Sequence, residues 1–300
     1  MTARARLGPV WVGDGLPVRI MAAINLSPES FYKGSVAGSA AEVEARVRTA
    51  VDEGAELIDI GGASTAPYLK VEVSEEVERE RVVAGLRAAV VEVGGRKVAI
   101  SVDTVRASVA EAALRGGASV INDVSGLKGD PTMSTVVRES GASLLAMAHS
   151  AESSSMRPIP AVKRSLRQTL GIAERAGMDE RLIVLDPGIG FFRNERSGKT
   201  TSLQSVMPWY EWDSEVIAKL AELRSLGRPI GVGVSRKSFL AGALKVKTPE
   251  ERLPGSLAVT AIAVMNGAQL VRTHDVRETL QAVRAAEAVK ARSRRAGRAS

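Results

Sequence analysis

The residues best equipped for chemistry in this chain stand directly after short apolar runs. Asn25 follows the run 18–24, and Gly61-Gly62-Ala63-Ser64-Thr65 follows 57–60. Asp103 follows 98–102, Asn122-Asp123 follows 119–121 and Asp186 follows 182–185. The run 230–234 leads into Ser235-Arg236-Lys237-Ser238, and 270–272 into Thr273-His274-Asp275 with Arg272 as its last member. Asp103 and Asp186 supply acceptors, Asn122 either donates or accepts, and Lys237 donates, which together match the edge of a flat heterocycle bearing ring N–H and amino groups. Arg272 and His274 alternate to one side of an extended segment and suit an anion. Each residue also has a plainer reading. Asp103 and Asp186 could cap helices, Asn122 could shape a turn, Lys237 could be a surface or Schiff-base lysine, and His274 could fill a turn. His149, after the run 143–147, suits a pocket wall or a structural role equally. Asp186-Pro187-Gly188-Ile189-Gly190 lacks the lysine pattern of a nucleotide phosphate loop, so its glycines read as permitting close backbone approach to a ligand.

Positioning these residues at one place requires the runs to be parallel strands. Eight of them (18–24, 57–60, 98–102, 119–121, 143–147, 182–185, 230–234 and 270–272) alternate with Ala/Glu/Arg-rich segments of helical period, the mark of repeated βα units. Eight units in 300 residues predict a single closed (β/α)8 TIM barrel, an α/β fold whose chemistry lies at the carboxyl ends of the strands. Phosphate sites in such barrels are commonly built after strands seven and eight, where Arg272 and His274 fall. The segment 41–54 carries Val43, Val47 and Val51 on one stripe, and 107–116 carries Val109 and Ala113. Each ends at a glycine, as a helix C-terminus should. The pairs Gly54-Ala55, Gly117-Ala118, Gly141-Ala142 and Gly267-Ala268 read as turns at the opposite face, serving stability. One domain over 1–300 is expected, with 1–17 as an extension whose residues 11–17 form a hairpin or plug, and 287–300 as a disordered basic tail.

Composition removes several function classes. With no cysteine, disulfides, thiolate metal sites and cysteine nucleophiles are excluded, and His149 and His274 are the only imidazoles. The net charge of +7 is concentrated in Lys290, Arg292, Arg294, Arg295 and Arg298. With that tail set aside and only 3% aromatic residues for base stacking, no nucleic-acid partner is expected. No run approaches the roughly 18 apolar residues of a membrane span and the first residues lack a secretory pattern, so a cytoplasmic protein without a membrane partner is expected.

The ordered set of motifs is similar to one family over residues 18–285. Ile24-Asn25-Leu26-Ser27-Pro28-Glu29-Ser30-Phe31 resembles its first loop, and Ile58-Asp59-Ile60-Gly61-Gly62-Ala63-Ser64-Thr65-Ala66-Pro67 its second. Ser101-Val102-Asp103-Thr104, Ile121-Asn122-Asp123-Val124-Ser125-Gly126, Leu185-Asp186-Pro187-Gly188-Ile189-Gly190-Phe191, Gly233-Val234-Ser235-Arg236-Lys237-Ser238-Phe239 and Val271-Arg272-Thr273-His274-Asp275 resemble the rest. The family is that of the dihydropteroate synthases. The resemblance implies condensation of 6-hydroxymethyl-7,8-dihydropterin diphosphate with p-aminobenzoate or a related arylamine, in folate or modified-pterin biosynthesis. It implies pterin contacts from Asp103, Asn122, Asp186 and Lys237, and diphosphate contacts from Asn25, Arg272 and His274. Mg²⁺ would lie at Asn25, and Thr65, Pro67, Phe191 and Ser238 would border the arylamine. Lys237, Arg272 and His274 would be the catalytic groups, and a homodimer paired through outer helices would be usual. The chain departs from the family in its mobile loops. Lys33 stands where a first-loop aspartate is usual, and Ala63 and Ala66 stand where the second loop carries Glu and Arg. The pattern around His149 is altered and the segment 192–201 is lengthened. A pterin-binding paralogue without turnover, or a pterin-dependent methyltransferase working with a corrinoid partner, are the competing readings.

Overall fold

The fold follows from which face of each strand is apolar. The computed structural model describes residues 2–29, 32, 34, 36–64, 73–149, 156–192 and 208–296. A hairpin of β1 (Arg4–Leu7) and β2 (Val10–Gly13) precedes eight parallel strands. These are β3 (Arg19–Asn25), β4 (Leu57–Gly61), β5 (Ala99–Asp103), β6 (Val120–Asp123), β7 (Ser143–Met147), β8 (Ile183–Asp186), β9 (Gly231–Gly233) and β10 (Leu270–Thr273). The helices between and after them are α1 (Ala40–Asp52), α2 (Glu75–Val93), α3 (Ala107–Arg115), α4 (Met133–Ser140), α5 (Pro158–Arg175), α6 (Trp209–Ala218), α7 (Phe239–Leu244), α8 (Leu253–Met265) and α9 (Val276–Ala296). The strand order is β8-β7-β6-β5-β4-β3-β10-β9. A parallel bridge between Leu185 and Ile230, with Leu185 N donating to the Pro229 carbonyl at 3.0 Å, joins the two ends. The architecture is therefore the expected (β/α)8 barrel.

Alternation along the strands sorts the core into two apolar clusters. Ile20, Ala22, Ile24, Ile58, Ile60, Ile100, Val102, Ile121, Leu144 and Leu185 face the helices. The residues one position out of phase, Met21, Leu57, Ala99, Val120, Leu145, Val184 and Leu270, fill the barrel interior together with Ala5, Leu7, Val10 and Val12 of the hairpin. The hairpin is thus the bottom plug. It occupies 4–13 instead of 11–17, because Gly8 takes a positive φ of 55° in its turn and lets the chain approach Ser119 and Ser143. A Cβ at Gly8 would meet Ser119 Oγ at 2.4 Å, and Gly8 N donates to Ser143 Oγ at 3.1 Å.

Other boundaries move for local reasons. The seventh barrel strand shrinks to three residues: Ile230 N donates to the Gln269 side chain at 3.1 Å, and the Val234 carbonyl accepts from Lys237 N in the turn that follows. The four Gly-Ala turns are as expected: the glycines have φ between +67° and +109°, and the alanines that follow are buried. At the end of α3 the left-handed residue is Gly117, while Gly116 stays right-handed. The expected disorder of the basic tail is wrong for 287–296. The last helix runs to Ala296, Glu287 Oε1 accepts from Val18 N at 2.8 Å, and Lys290 donates to the Val264 carbonyl. Once Val283 and Ala286 are seated on the barrel, extending the helix through Ala, Lys and Arg costs little. Residues 297–300 lie outside the described part.

Candidate active site

Two positions above the apolar plug, the same inward faces become polar. Leu57 is followed at that spacing by Asp59, Ala99 by Ser101 and then Asp103, Val120 by Asn122, Val184 by Asp186 and Leu270 by Arg272. One strand face thus changes character along its length, and the carboxyl end of the barrel becomes a polar bowl. Asp103 does not cap the helix after it: Ala107 N, at the start of α3, donates to Asp130 Oδ2 at 2.9 Å instead.

At the centre Arg272 Nε donates to Asp59 Oδ2 at 2.6 Å and its Nη2 reaches Asp103 Oδ2 at 3.4 Å. Asn122 Nδ2 donates to the same Asp59 oxygen at 3.0 Å. Asn122 therefore presents its Oδ1, an acceptor, to the bowl. The second carboxylate oxygens of Asp59 and Asp103, and Ser101 Oγ, are buried without a hydrogen-bond partner. Buried acceptors carry a desolvation cost unless something donates to them, so the site is organised to receive N–H groups. Burial pushes the Asp103 carboxyl up to about 7, against the pull of the Arg272 cation and with the help of the Asp59 charge. Burial likewise raises Asp186, while Lys237, the Gly188 N–H and Arg272 oppose it.

The glycine-rich loop after β8 forms one side. Asp186 Oδ1 accepts from Gly188 N at 2.7 Å, so part of this side chain does shape a turn. Gly190, with φ +83°, packs against the Lys237 stem, where a Cβ would meet Lys237 Cδ at 3.1 Å. Its N–H donates at 2.9 Å to Asp213 of α6, a residue the motif reading had passed over. Lys237 donates to the Ile189 carbonyl and lies 4.6 Å from the Phe191 ring centroid, so it is directed inward as a charged donor.

The opposite side is cationic. His274 Nδ1 lies 3.0 Å from Ser235 Oγ. Burial, then the cations of Arg272, Arg236 and Lys237, hold the His274 imidazole down at about 3, so it is neutral at physiological pH. Arg236 forms a two-pronged pair with Asp275, at 2.9 and 2.6 Å, and gives its Nη1 to the Pro249 and Glu250 carbonyls. Asn25 sits beside Gly61, whose added Cβ would lie 3.8 Å from both Asn25 Oδ1 and Asp103 Cβ. The first loop is anchored on its other flank by Glu29, which accepts from Ser27 and pairs with Arg81 of α2 at 3.1 Å. Those contacts, the Ser27 hydrogen bond foremost, hold the Glu29 carboxyl down at about 2.

The expected residues Asn25, Asp103, Asn122, Asp186, Lys237, Phe191, Arg272 and His274 thus belong to one mouth, and Ser238 starts the short helix α7 beside it. Thr65, Pro67, Lys33 and Ala66 lie outside the described residues. His149 has its backbone clasped by Ser165 Oγ and its side chain exposed, favouring the structural reading. Asp59 and Ser101 were missed as site residues. The signal was available: an acid and a hydroxyl inside apolar runs, in phase with Leu57 and Ala99.

Comparison with known proteins points the same way. Residues 21–274 match the family described as "Pterin binding enzyme". A dihydropteroate synthase of Bacillus subtilis is 36% identical over 259 residues, covering 86% of this chain and 84% of the relative. A solved Xanthomonas albilineans dihydropteroate synthase with 4-aminobenzoic acid superposes with a TM-score of 0.81 at 30% identity, covering 97% of this chain and 99% of the other. A Clostridium difficile dihydropteroate synthase solved with pteroic acid gives a TM-score of 0.79 at 33% identity, covering 92% and 97% of the two chains.

Proposed function

The chain belongs to the pterin-binding enzyme family, and we propose that it condenses 6-hydroxymethyl-7,8-dihydropterin diphosphate with p-aminobenzoate or a related arylamine, releasing diphosphate. The observation that carries this reading is the pair of buried, partnerless carboxylate oxygens on Asp59 and Asp103 beside the outward-turned Asn122 carbonyl, an acceptor row suited to a pterin edge. Asp103, Asn122, Asp186 and Lys237 hold the pterin. Asn25, Arg272 and His274 hold the diphosphate, and because His274 is neutral the attraction for the anion comes from Arg272 and Lys237. Lys237 and Arg272 stabilise charge as it develops on the departing diphosphate, and the neutral His274 contributes as a hydrogen-bonding ring. Phe191 and Ser238 border the arylamine, and the resemblance assigns Thr65 and Pro67, which lie outside the described residues, to the same substrate.

Mg²⁺ fits this site only in company with the substrate. Among the described residues no group of three or more His, Cys, Asp or Glu side chains could hold a metal. The ion ordinarily keeps waters and binds substrate phosphates with one or two protein ligands, which leaves Asn25 Oδ1 as its protein contact. When bound it would screen the diphosphate charge. Exposed Leu244, Ile262, Met265 and Val289 on α7, α8 and α9 support a homodimer through outer helices, and a cytoplasmic location belongs to the same reading.

Incubation with the pterin diphosphate, with and without p-aminobenzoate, tests the assignment through diphosphate release and the condensation product. Product formation is expected. Failure of the pterin diphosphate to bind in calorimetry sinks it. With Ala66 in place of arginine, the p-aminobenzoate carboxylate lacks a bidentate partner worth about 1.5–3 kcal/mol. Arylamines without the carboxylate should therefore be turned over at least as well, and a clear preference for p-aminobenzoate would contradict that.

The elevated Asp103 gives a pH dependence. The pterin N–H groups bind the ionised carboxylate, so binding below about 7 must release a proton. Pterin affinity should rise as pH rises through that value in the wild type, and this rise should be lost in Asp103→Asn, leaving only the dependence of the likewise raised Asp186. Calorimetry on both sides of neutrality reads it, and a wild-type affinity that falls as pH rises would refute the assignment of Asp103.

A further inference from the structure

We propose that Tyr32 is a positioning residue that caps the anion end of the mouth by bridging Arg236 and His274. The inference rests on the diphosphate site assigned above and adds a residue that neither the motifs nor the condensation chemistry called for. Tyr32 lies in the loop between β3 and α1, and its ring meets the His274 ring edge-on, with centroids 5.5 Å apart and planes at 73°. The Arg236 guanidinium stands over the same ring, Cζ 4.5 Å from the centroid. Cation, phenol ring and imidazole thus form one series across the ends of β9 and β10.

The neighbours of this series are already committed. Arg236 gives four of its five N–H groups to Asp275 and to the Pro249 and Glu250 carbonyls, which fixes its plane, and Tyr32 covers the face of that plane. His274 is held through Nδ1 by Ser235, and its ring orientation is completed by the Tyr32 contact. The loop is shaped for this placement. Gly34 lies so close that a Cβ there would fall 2.6 Å from Tyr32 Cζ. The base of the loop is tied by the Asn25–Val36 bridge and by Ala37 N donating to the Asn25 carbonyl at 2.8 Å. Its far flank is tied by Glu29 to Arg81. Tyr32 supplies the third attachment, on the side where the diphosphate would sit. It fixes the His274 ring and shields the anion from bulk water, which strengthens the pull of Arg272 and Lys237 on it.

Two measurements on Tyr32→Ala and Tyr32→Phe, each beside the wild type, test this. The chain has only two histidines, so the His274 ring protons can be followed by NMR, with His149→Gln giving the assignment. Tyr32→Ala should move the His274 signals by removing the ring current, and Tyr32→Phe should leave them in place. Inorganic pyrophosphate titrated calorimetrically with Mg²⁺ should bind roughly tenfold more weakly to Tyr32→Ala and normally to Tyr32→Phe, the loss expected for one aromatic contact and the preordering it provides. Unmoved His274 signals in Tyr32→Ala overturn the cap, and so do moved signals with unchanged pyrophosphate affinity. A wild type that binds no pyrophosphate, yet shows the signal shift in Tyr32→Ala, overturns the diphosphate assignment itself and with it the role given to Tyr32.

Discussion

Asp186→Asn and Asn122→Ala are each expected to weaken pterin binding by about tenfold to a hundredfold while leaving the barrel folded. The Asp186 carboxylate stands at the rim of the bowl with the Lys237 cation as its largest attractive influence. An asparagine there keeps the oxygen that accepts from Gly188 N, so the turn survives and only the charge is lost. In Asn122→Ala the carbonyl that Asp59 turns toward the bowl disappears, and a pterin donor would enter a buried site with nothing to accept it. A lost hydrogen bond of this kind is worth about 1–3 kcal/mol. Calorimetric titration with a pterin, alongside circular dichroism to confirm folding, gives the comparison. Unchanged affinity in both variants would remove the pocket from this position.

Asp59→Ala is expected to do more, because Asp59 serves two other site residues at once. It is fully buried, and its Oδ2 receives both the Arg272 Nε and the Asn122 Nδ2. Without it Arg272 keeps only the 3.4 Å contact to Asp103, and the Asn122 amide is free to flip and present donors where the pterin needs an acceptor. Removing one partner from a buried ion pair costs about 3–5 kcal/mol, and the residual Asp103 contact places the loss at about 3 kcal/mol. Urea denaturation should therefore show a lowered midpoint, and pterin binding should vanish even where the protein is still folded. Asp59→Asn retains one acceptor and should fall between the two. A wild-type midpoint together with wild-type pterin affinity in Asp59→Ala would show that Arg272 and Asn122 hold their positions unaided.

Both predictions concern residues that the local sequence treats very differently. Asp186 and Asn122 are legible in isolation, since each closes an apolar run and stands where the chain must turn. Asp59 lies inside the run Leu-Ile-Asp-Ile-Gly, and only the phase it shares with Leu57 marks it as facing inward. The eight βα units, the Gly-Ala turns and most strand ends were likewise written in local periodicity, because an apolar strand and an amphipathic helix differ in repeat and need no distant partner to be recognised. The order of polar residues at successive strand ends was enough to identify the family and the strand-end residues of the mouth, but not Asp59 and Ser101 within the strands.

What the chain left open depends on contacts between segments far apart in sequence. The basic tail reads as a solvated terminus, and it becomes helix because Val283 and Ala286 are buried and Glu287 finds Val18, some 270 residues away. The hairpin lies earlier than its composition suggested, since its place depends on Gly8 fitting between Ser119 and Ser143. The seam between Leu185 and Ile230 is a property of the closed cylinder and of no single strand. The same holds for the electrostatics. That Asp103 sits near neutrality, that His274 is neutral and that Asn122 offers its carbonyl are consequences of burial and of charges brought from other strands. Sequence determined which groups reach the mouth, because that follows from strand parity; protonation and orientation were decided by the tertiary structure, because solvation and Coulomb interactions depend on distance in space.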